Sequence, residues 1–209
     1  MANISRASSK FGEKVALSGA PVFTQGENII DLIIKDHRHA ENLYESFKNA
    51  PNLEEKTKLR NKLVKTLVQH DEVEQLLVYP LLREKIGGQI GESHYERSLN
   101  EHQELRNLMY DVRYSDVKVD TPQFQEKIQK AMDYVIFHVQ QEEKDVLPLL
   151  RQHLTEEELK KVGASFVAHK PTAVTRPHPN APAQGYPAAM ANLVMKPFDL
   201  ARDIWEGND

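Results

Sequence analysis

A fourteen-residue segment of this chain recurs in related form 68 positions on, and each copy opens with a histidine followed four residues later by a glutamate. Residues 70–83 (HDEVEQLLVYPLLR) align with 138–151 (HVQQEEKDVLPLLR) at seven identical positions, among them the histidine, the glutamate and a proline. A weaker repeat, offset by 65, sets Asp36-His37 and Asn42-Leu43 against Glu101-His102 and Asn107-Leu108. The chain therefore reads as two helical hairpins, each supplying one lone histidine and one His-x-x-x-Glu.

The surrounding pattern is helical. Apolar residues recur at three- and four-residue spacing over roughly 28–48, 55–86, 92–114 and 122–152, and strand signals are weak throughout. Turn chemistry separates the stretches: Asn49-Ala50-Pro51-Asn52, then Gly87 to Gly91, then Ser115 to Pro122. Thr121-Pro122 reads as an N-cap followed by proline at the first helical position. Four long helices with short connections imply an all-α, up-down-up-down four-helix bundle. Residues 27–153 form that bundle in this reading, and 1–26 are a polar N-terminal arm. Residues 154–209 hold a short helix with a Thr155/Glu158 capping box, a proline-rich strap and a docking helix. Six of the eleven prolines lie in the last 39 residues, so regular structure is not expected between 170 and 189.

Composition excludes several classes. There is no cysteine, which removes disulfides, thiolate nucleophiles, iron–sulfur clusters and Cys-based zinc sites. The net charge of −4 does not suggest a nucleic-acid partner. No apolar run is long enough for a membrane span. The N-terminus lacks the apolar core of a secretory signal. A cytoplasmic location is the expectation, and oligomeric state is open.

The repeated polar residues fall on the apolar stripes. His70 and Glu74 continue Leu59, Leu63 and Leu67; His138 and Glu142 continue Ile128, Ala131 and Val135. His37 follows Ile30 and Ile33, and His102 sits among Tyr95, Leu99, Leu105 and Met109. Residues four apart on a helix share a face, so each His-x-x-x-Glu aims an imidazole and a carboxylate at one point. Burying an unpaired polar group costs about 1–3 kcal/mol, and a carboxylate more. Divalent cations remove that cost, because they bind neutral imidazole and ionised carboxylate. Six such ligands, His37, His70, Glu74, His102, His138 and Glu142, suit two metals bridged by both carboxylates. Histidine–carboxylate sets with open positions suit iron. No histidine here has a glutamate three residues before it, so the Glu-x-x-His pattern of ferritin-like bundles is absent.

With these motifs the chain, over about 30–153, resembles the hemerythrin-like HHE cation-binding family. Its tail segment 171–179 (PTAVTRPHP) also resembles family tails. The resemblance implies a four-helix bundle with a non-haem di-iron centre. Glu74 and Glu142 would bridge the irons, His37 and His70 would hold one, and His102 and His138 the other. It implies dioxygen, hydrogen peroxide or nitric oxide as the small ligand, with peroxide decomposition as one activity. Sensing of iron, oxygen or nitric oxide without turnover, or a metal-stabilised structural bundle, are the alternatives. One departure matters. Oxygen carriers of the family have a further histidine one turn from the third-helix ligand, whereas Ser98 and Arg106 stand there in this chain. One iron is thus expected to lack a histidine, with solvent or another side chain in the gap, which favours reaction over reversible carriage.

The other histidines divide from these. His39 should face solvent, and His153, His169 and His178 lie outside the repeat; His94 is a weak further candidate, two turns before His102. Tyr44, Tyr79, Tyr95, Tyr110 and Tyr134 include candidates for a donor near the centre, and spacing does not choose among them. His70→Ala or Glu142→Ala is therefore expected to lower the metal content of the purified chain, and His39→Ala or His153→Ala to leave it unchanged. Elemental analysis decides, and equal metal in all four variants would sink the ligand set.

Overall fold

The computed structural model describes residues 26–180 and 195–203, and among them there is no strand. In chain order the helices are α1 (Ile29–Lys48), α2 (Leu53–Leu77), the single turn α3 (Tyr79–Leu81), α4 (Gly88–Arg113), α5 (Pro122–Gln141), α6 (Leu147–His153) and α7 (Glu156–His169). Residues 195–203 are also helical. α1, α2, α4 and the α5–α6 run make an up-down-up-down four-helix bundle, and α7 packs against α1 and α2.

Local chemistry explains the starts. The side chains of Asn28, Asn52 and Thr121 accept from backbone N–H groups three residues on, satisfying donors that a helix start leaves orphaned. Thr155 and Glu158 close the reciprocal capping box at the head of α7. The break expected across Gly87 to Gly91 is shorter than the composition suggested. Gly87 and Gly88 turn the chain, with φ of 65° and 59°, and α4 begins at Gly88. Gly91 serves packing instead, since a Cβ there would lie 2.1 Å from the carbonyl oxygen of Leu82.

Each proline of the repeat disturbs its helix, because proline returns no N–H to the preceding turn. α2 ends at Leu77, just before Tyr79-Pro80, and Leu82–Ile86 forms a π turn. The second copy widens earlier, with Glu142–Val146 as a π turn ahead of Pro148. Wide turns of this kind re-aim the side chains they carry.

The buried apolar residues fall into two clusters. One gathers Phe47, Leu63, Phe124 and Met132 toward one end. The other gathers Ile29, Ile33, Leu82 and Leu150 toward the other. Along α1, His37 lies between Ile33 of the second cluster and Ala40 of the first; along α4, His102 lies between Leu99 and Leu105. A polar layer thus crosses the bundle where the repeated residues stand.

α7 approaches the start of α1 so closely that a Cβ on Gly163 would lie 2.2 Å from the carbonyl oxygen of Glu27. Both partners there are backbone, so neither side can yield cheaply. Gly163→Ala is expected to destabilise the chain by about 1–3 kcal/mol, measured by urea unfolding; an unchanged midpoint would show that α7 is not seated on α1.

Candidate metal centre

The six residues singled out by the repeat converge. One ligand atom from each of His37, His70, Glu74 and Glu142 lies within 4.8 Å of the others, and so does one from each of Glu74, His102 and His138. All six side chains are buried. The Nε2 atoms of His37 and His70 are 3.2 Å apart, and those of His102 and His138 are 2.9 Å apart. Glu142 Oε2 lies 3.2 Å from His37 Nε2 and 4.0 Å from His138 Nε2. Glu74 Oε2 lies 3.2 Å from His70 Nε2 and 3.6 Å from His102 Nε2. Each carboxylate therefore stands between one histidine of each pair.

The opposite edge of every ring meets a carboxylate. His37 Nδ1 donates to Glu143 (2.8 Å), His102 Nδ1 to Asp71 (2.5 Å) and His138 Nδ1 to Glu101 (2.7 Å), while His70 Nδ1 faces Asp36 at 3.3 Å. The pattern is cyclic. α1 supplies the acid for the histidine on α2, α2 for α4, and α4 for α5. The π turn after α5 supplies the acid for α1. Orienting carboxylates of this sort fix the imidazole tautomer, with hydrogen on Nδ1 and the Nε2 lone pair directed inward. A cation then backs each carboxylate. Arg38 pairs with Glu143, Arg97 with Glu101 (3.7 Å), Arg106 with Asp71 (3.0 Å) and Lys170 with Asp36.

Tyr79 is the tyrosine that reaches the centre. Its hydroxyl donates to Glu74 Oε2 at 3.1 Å and touches His102 Nε2. It stands beside the pair that lacks a further histidine. Ser98 is buried, and Arg106 is turned to Asp71. Of the remaining histidines, His94 meets Arg97, His153 and His169 bond backbone carbonyls one turn back, and His178 meets Asp199. None of these, nor His39, belongs to the cluster.

Sequence reasoning missed the orienting role of Asp71 and Glu143. Glu143 follows Glu142 and points away from the centre, which is the direction of His37 on the neighbouring helix. The acid next to each α1 and α4 histidine, Asp36 and Glu101, was visible as a signal, but its partner is on another helix.

The charges are unevenly set. Burial pushes the Glu74 carboxyl well above its usual range, helped by the charge of Glu142. Burial also acts on Glu142, but the His37 hydrogen bond and the charges of His138, His37 and His70 outweigh it and hold it at about 2. Burial lowers His70 to about 3 and His102 to about 4, each further depressed by the histidine facing it. Burial draws His37 down too, yet its bonds to Glu142 and Glu143 prevail and raise it. Beside the centre, an apolar cavity of about 20 Å³ touches all four histidines and is walled by Ala40, Leu67, Leu105, Met109 and Val135. That space is large enough for a water-sized molecule.

A cation entering this layer displaces the proton that a raised Glu74 retains. His70 and His102, already neutral near pH 7, release none. Metal affinity should accordingly rise with pH, and titrating metal into weakly buffered chain should release protons. Isothermal titration in buffers of different ionisation enthalpy measures this. The Glu74→Gln variant should lose that component, whereas a pH-independent affinity of the native chain would contradict it.

Comparison with known proteins agrees with this geometry. The model of the hemerythrin HHE cation-binding domain matches residues 28–150. A hemerythrin-like protein of Schizosaccharomyces pombe is 31% identical over 197 residues, covering 93% of this chain and 96% of the relative. A DNA nickase of Nostoc sp. is 26% identical over 162 residues, 74% of this chain, and the match spans only 44% of that longer protein. No solved structure gives a significant match. None of the described helices is long and apolar enough to cross a membrane. The chain belongs to the hemerythrin HHE cation-binding family.

Proposed function

We propose that this chain is a non-haem di-iron protein whose centre reacts with dioxygen or hydrogen peroxide, with His37, His70, Glu74, His102, His138 and Glu142 as the iron ligands. One observation carries the reading. Carboxylates occupy the Nδ1 edges, and the Nε2 atoms of each histidine pair approach to 3.2 and 2.9 Å, close enough for one cation to be shared by both rings. Oε1 of Glu142 and Oε1 of Glu74 are buried without a hydrogen-bond partner, which supports the same conclusion. A donor set of imidazole and carboxylate without thiolate fits iron, and two carboxylates shared between two histidine pairs fit two metals.

Two irons, when bound, supply the two electrons that interconvert dioxygen and peroxide. The chain's own residues govern the surroundings. The acids at Nδ1 fix the imidazole tautomer and aim the rings. The aliphatic side chains of Ala40, Leu67, Leu105, Met109 and Val135 line the small cavity beside the histidines, which in this reading takes the small ligand, dioxygen, peroxide or nitric oxide. Tyr79 holds a proton 3.1 Å from Glu74, within reach of a small ligand in the layer. Its phenol is pushed well above the usual range by burial and by the nearby carboxylates, so it keeps that proton.

A second reading, a sensor without turnover, is favoured by the contacts that residues 170–174 make beside the ligands. The two readings separate on peroxide consumption.

Elemental analysis of chain produced with iron is expected to find two irons per chain, and one zinc or no metal would overturn the proposal. The Tyr79→Phe variant should keep its iron and its fold. If Tyr79 donates the proton, peroxide consumption should slow on the order of a hundredfold. An unchanged rate would remove Tyr79 from that role.

A further inference from the structure

Three of the four cations behind the orienting carboxylates come from the bundle itself: Arg38 on α1, and Arg97 and Arg106 on α4. The fourth does not. Lys170 begins the 3-10 turn Lys170–Thr172 that follows α7, so the Asp36 cation arrives on the strap that leaves the bundle. The strap is seated at this level by further bonds. Gln69 donates its side-chain amide to the carbonyl of Lys170 (3.3 Å), and the backbone N–H of Val174 donates to the Glu72 carboxylate (2.5 Å). Gln69 and Glu72 flank His70-Asp71, and Asp36 precedes His37. Ala173 and Val174 are buried. Every bond here ends one or two residues from a histidine of the His37/His70 pair.

Asp36 is 2% exposed, and its Oδ2 faces both the Lys170 ammonium and His70 Nδ1. Lys170 thus fixes the direction in which the buried Asp36 carboxylate presents Oδ2 to His70. The 3.3 Å separation at His70 is the longest of the four Nδ1 contacts, and it is the one whose acid a residue outside the bundle holds.

We infer that Lys170 is a positioning residue for His70, acting through Asp36, and that the strap thereby controls metal occupancy of the His37/His70 half of the centre alone. Coupling of this kind is reciprocal, so metal in that half tightens the strap. The inference rests on the di-iron reading of the site and names how one half of it is regulated.

The test uses the full-length chain with iron and a chelator as competitor. Native chain is expected to hold two irons. In Lys170→Met one iron should keep its affinity, and the other should weaken by about tenfold to a hundredfold. Lys170→Arg, which restores the charge, should recover most of that loss. In a His70→Ala background, Lys170→Met should have no further effect on the remaining iron. Hydrogen exchange gives a second readout, with the Val174 amide slowing on iron binding in native chain and not in Lys170→Met. Unaltered binding of both irons in Lys170→Met, or equal weakening of both, overturns the inference while leaving the site intact. A native chain that takes up no iron overturns the site assignment, and the inference falls with it.

Discussion

Four imidazole lone pairs and two carboxylates meet in the middle of an apolar core, and the rest of the molecule is arranged around that meeting. Left to themselves these groups repel. Glu74 and Glu142 are driven apart in proton affinity, one far up and the other down to about 2, and the facing histidines depress one another. Hydrophobic packing at both ends of the bundle holds the groups together. The two apolar clusters lie on either side of the polar layer and clamp it. A divalent cation converts the repulsion into coordination, so the same geometry that is costly without metal becomes favourable with it.

Around the layer the chain builds outward in shells of alternating character. Inward Nε2 atoms are backed by carboxylates at Nδ1, and the carboxylates by arginine or lysine near the surface. Each shell solves the problem created by the one inside it. An imidazole needs an acceptor to fix its tautomer, and a buried acceptor needs a cation to stay ionised. Because each acid serves the histidine on the next helix, the four helices are tied in a ring, and one element cannot shift without disturbing a neighbour's histidine. The asymmetry lies at two points. Tyr79 enters beside His102, and Lys170 enters from the strap behind Asp36. The two halves of a near-repeat sequence thus have different surroundings.

Much of this is legible in the sequence. The His-x-x-x-Glu repeat and the apolar stripes are local properties, and periodicity reports them directly, so the bundle and the six inward residues follow from spacing. The glycine-rich segment 87–91 was misleading as a loop, because Gly91 is there for close packing on Leu82 and not for a turn. The choice of Tyr79 among five tyrosines was not legible, since the break at Pro80 sets its direction. Asp71 and Glu143 were invisible as orienting groups for a related reason. Each acts on a histidine of a different helix, 31 residues away for Asp71 and 106 for Glu143.

By itself the sequence determined an all-α chain with two repeated hairpins, a cysteine-free set of polar residues and six of them on apolar stripes, where burial is costly. Those conclusions depend only on residue type and on spacing along one helix. Tertiary structure decided which carboxylate faces which imidazole, which tyrosine stands beside the centre, how small the adjoining cavity is, and that the strap reaches Asp36. Such facts depend on distances between helices, which are set by side-chain packing and by the wide turns at the prolines, and no pattern along the chain records them.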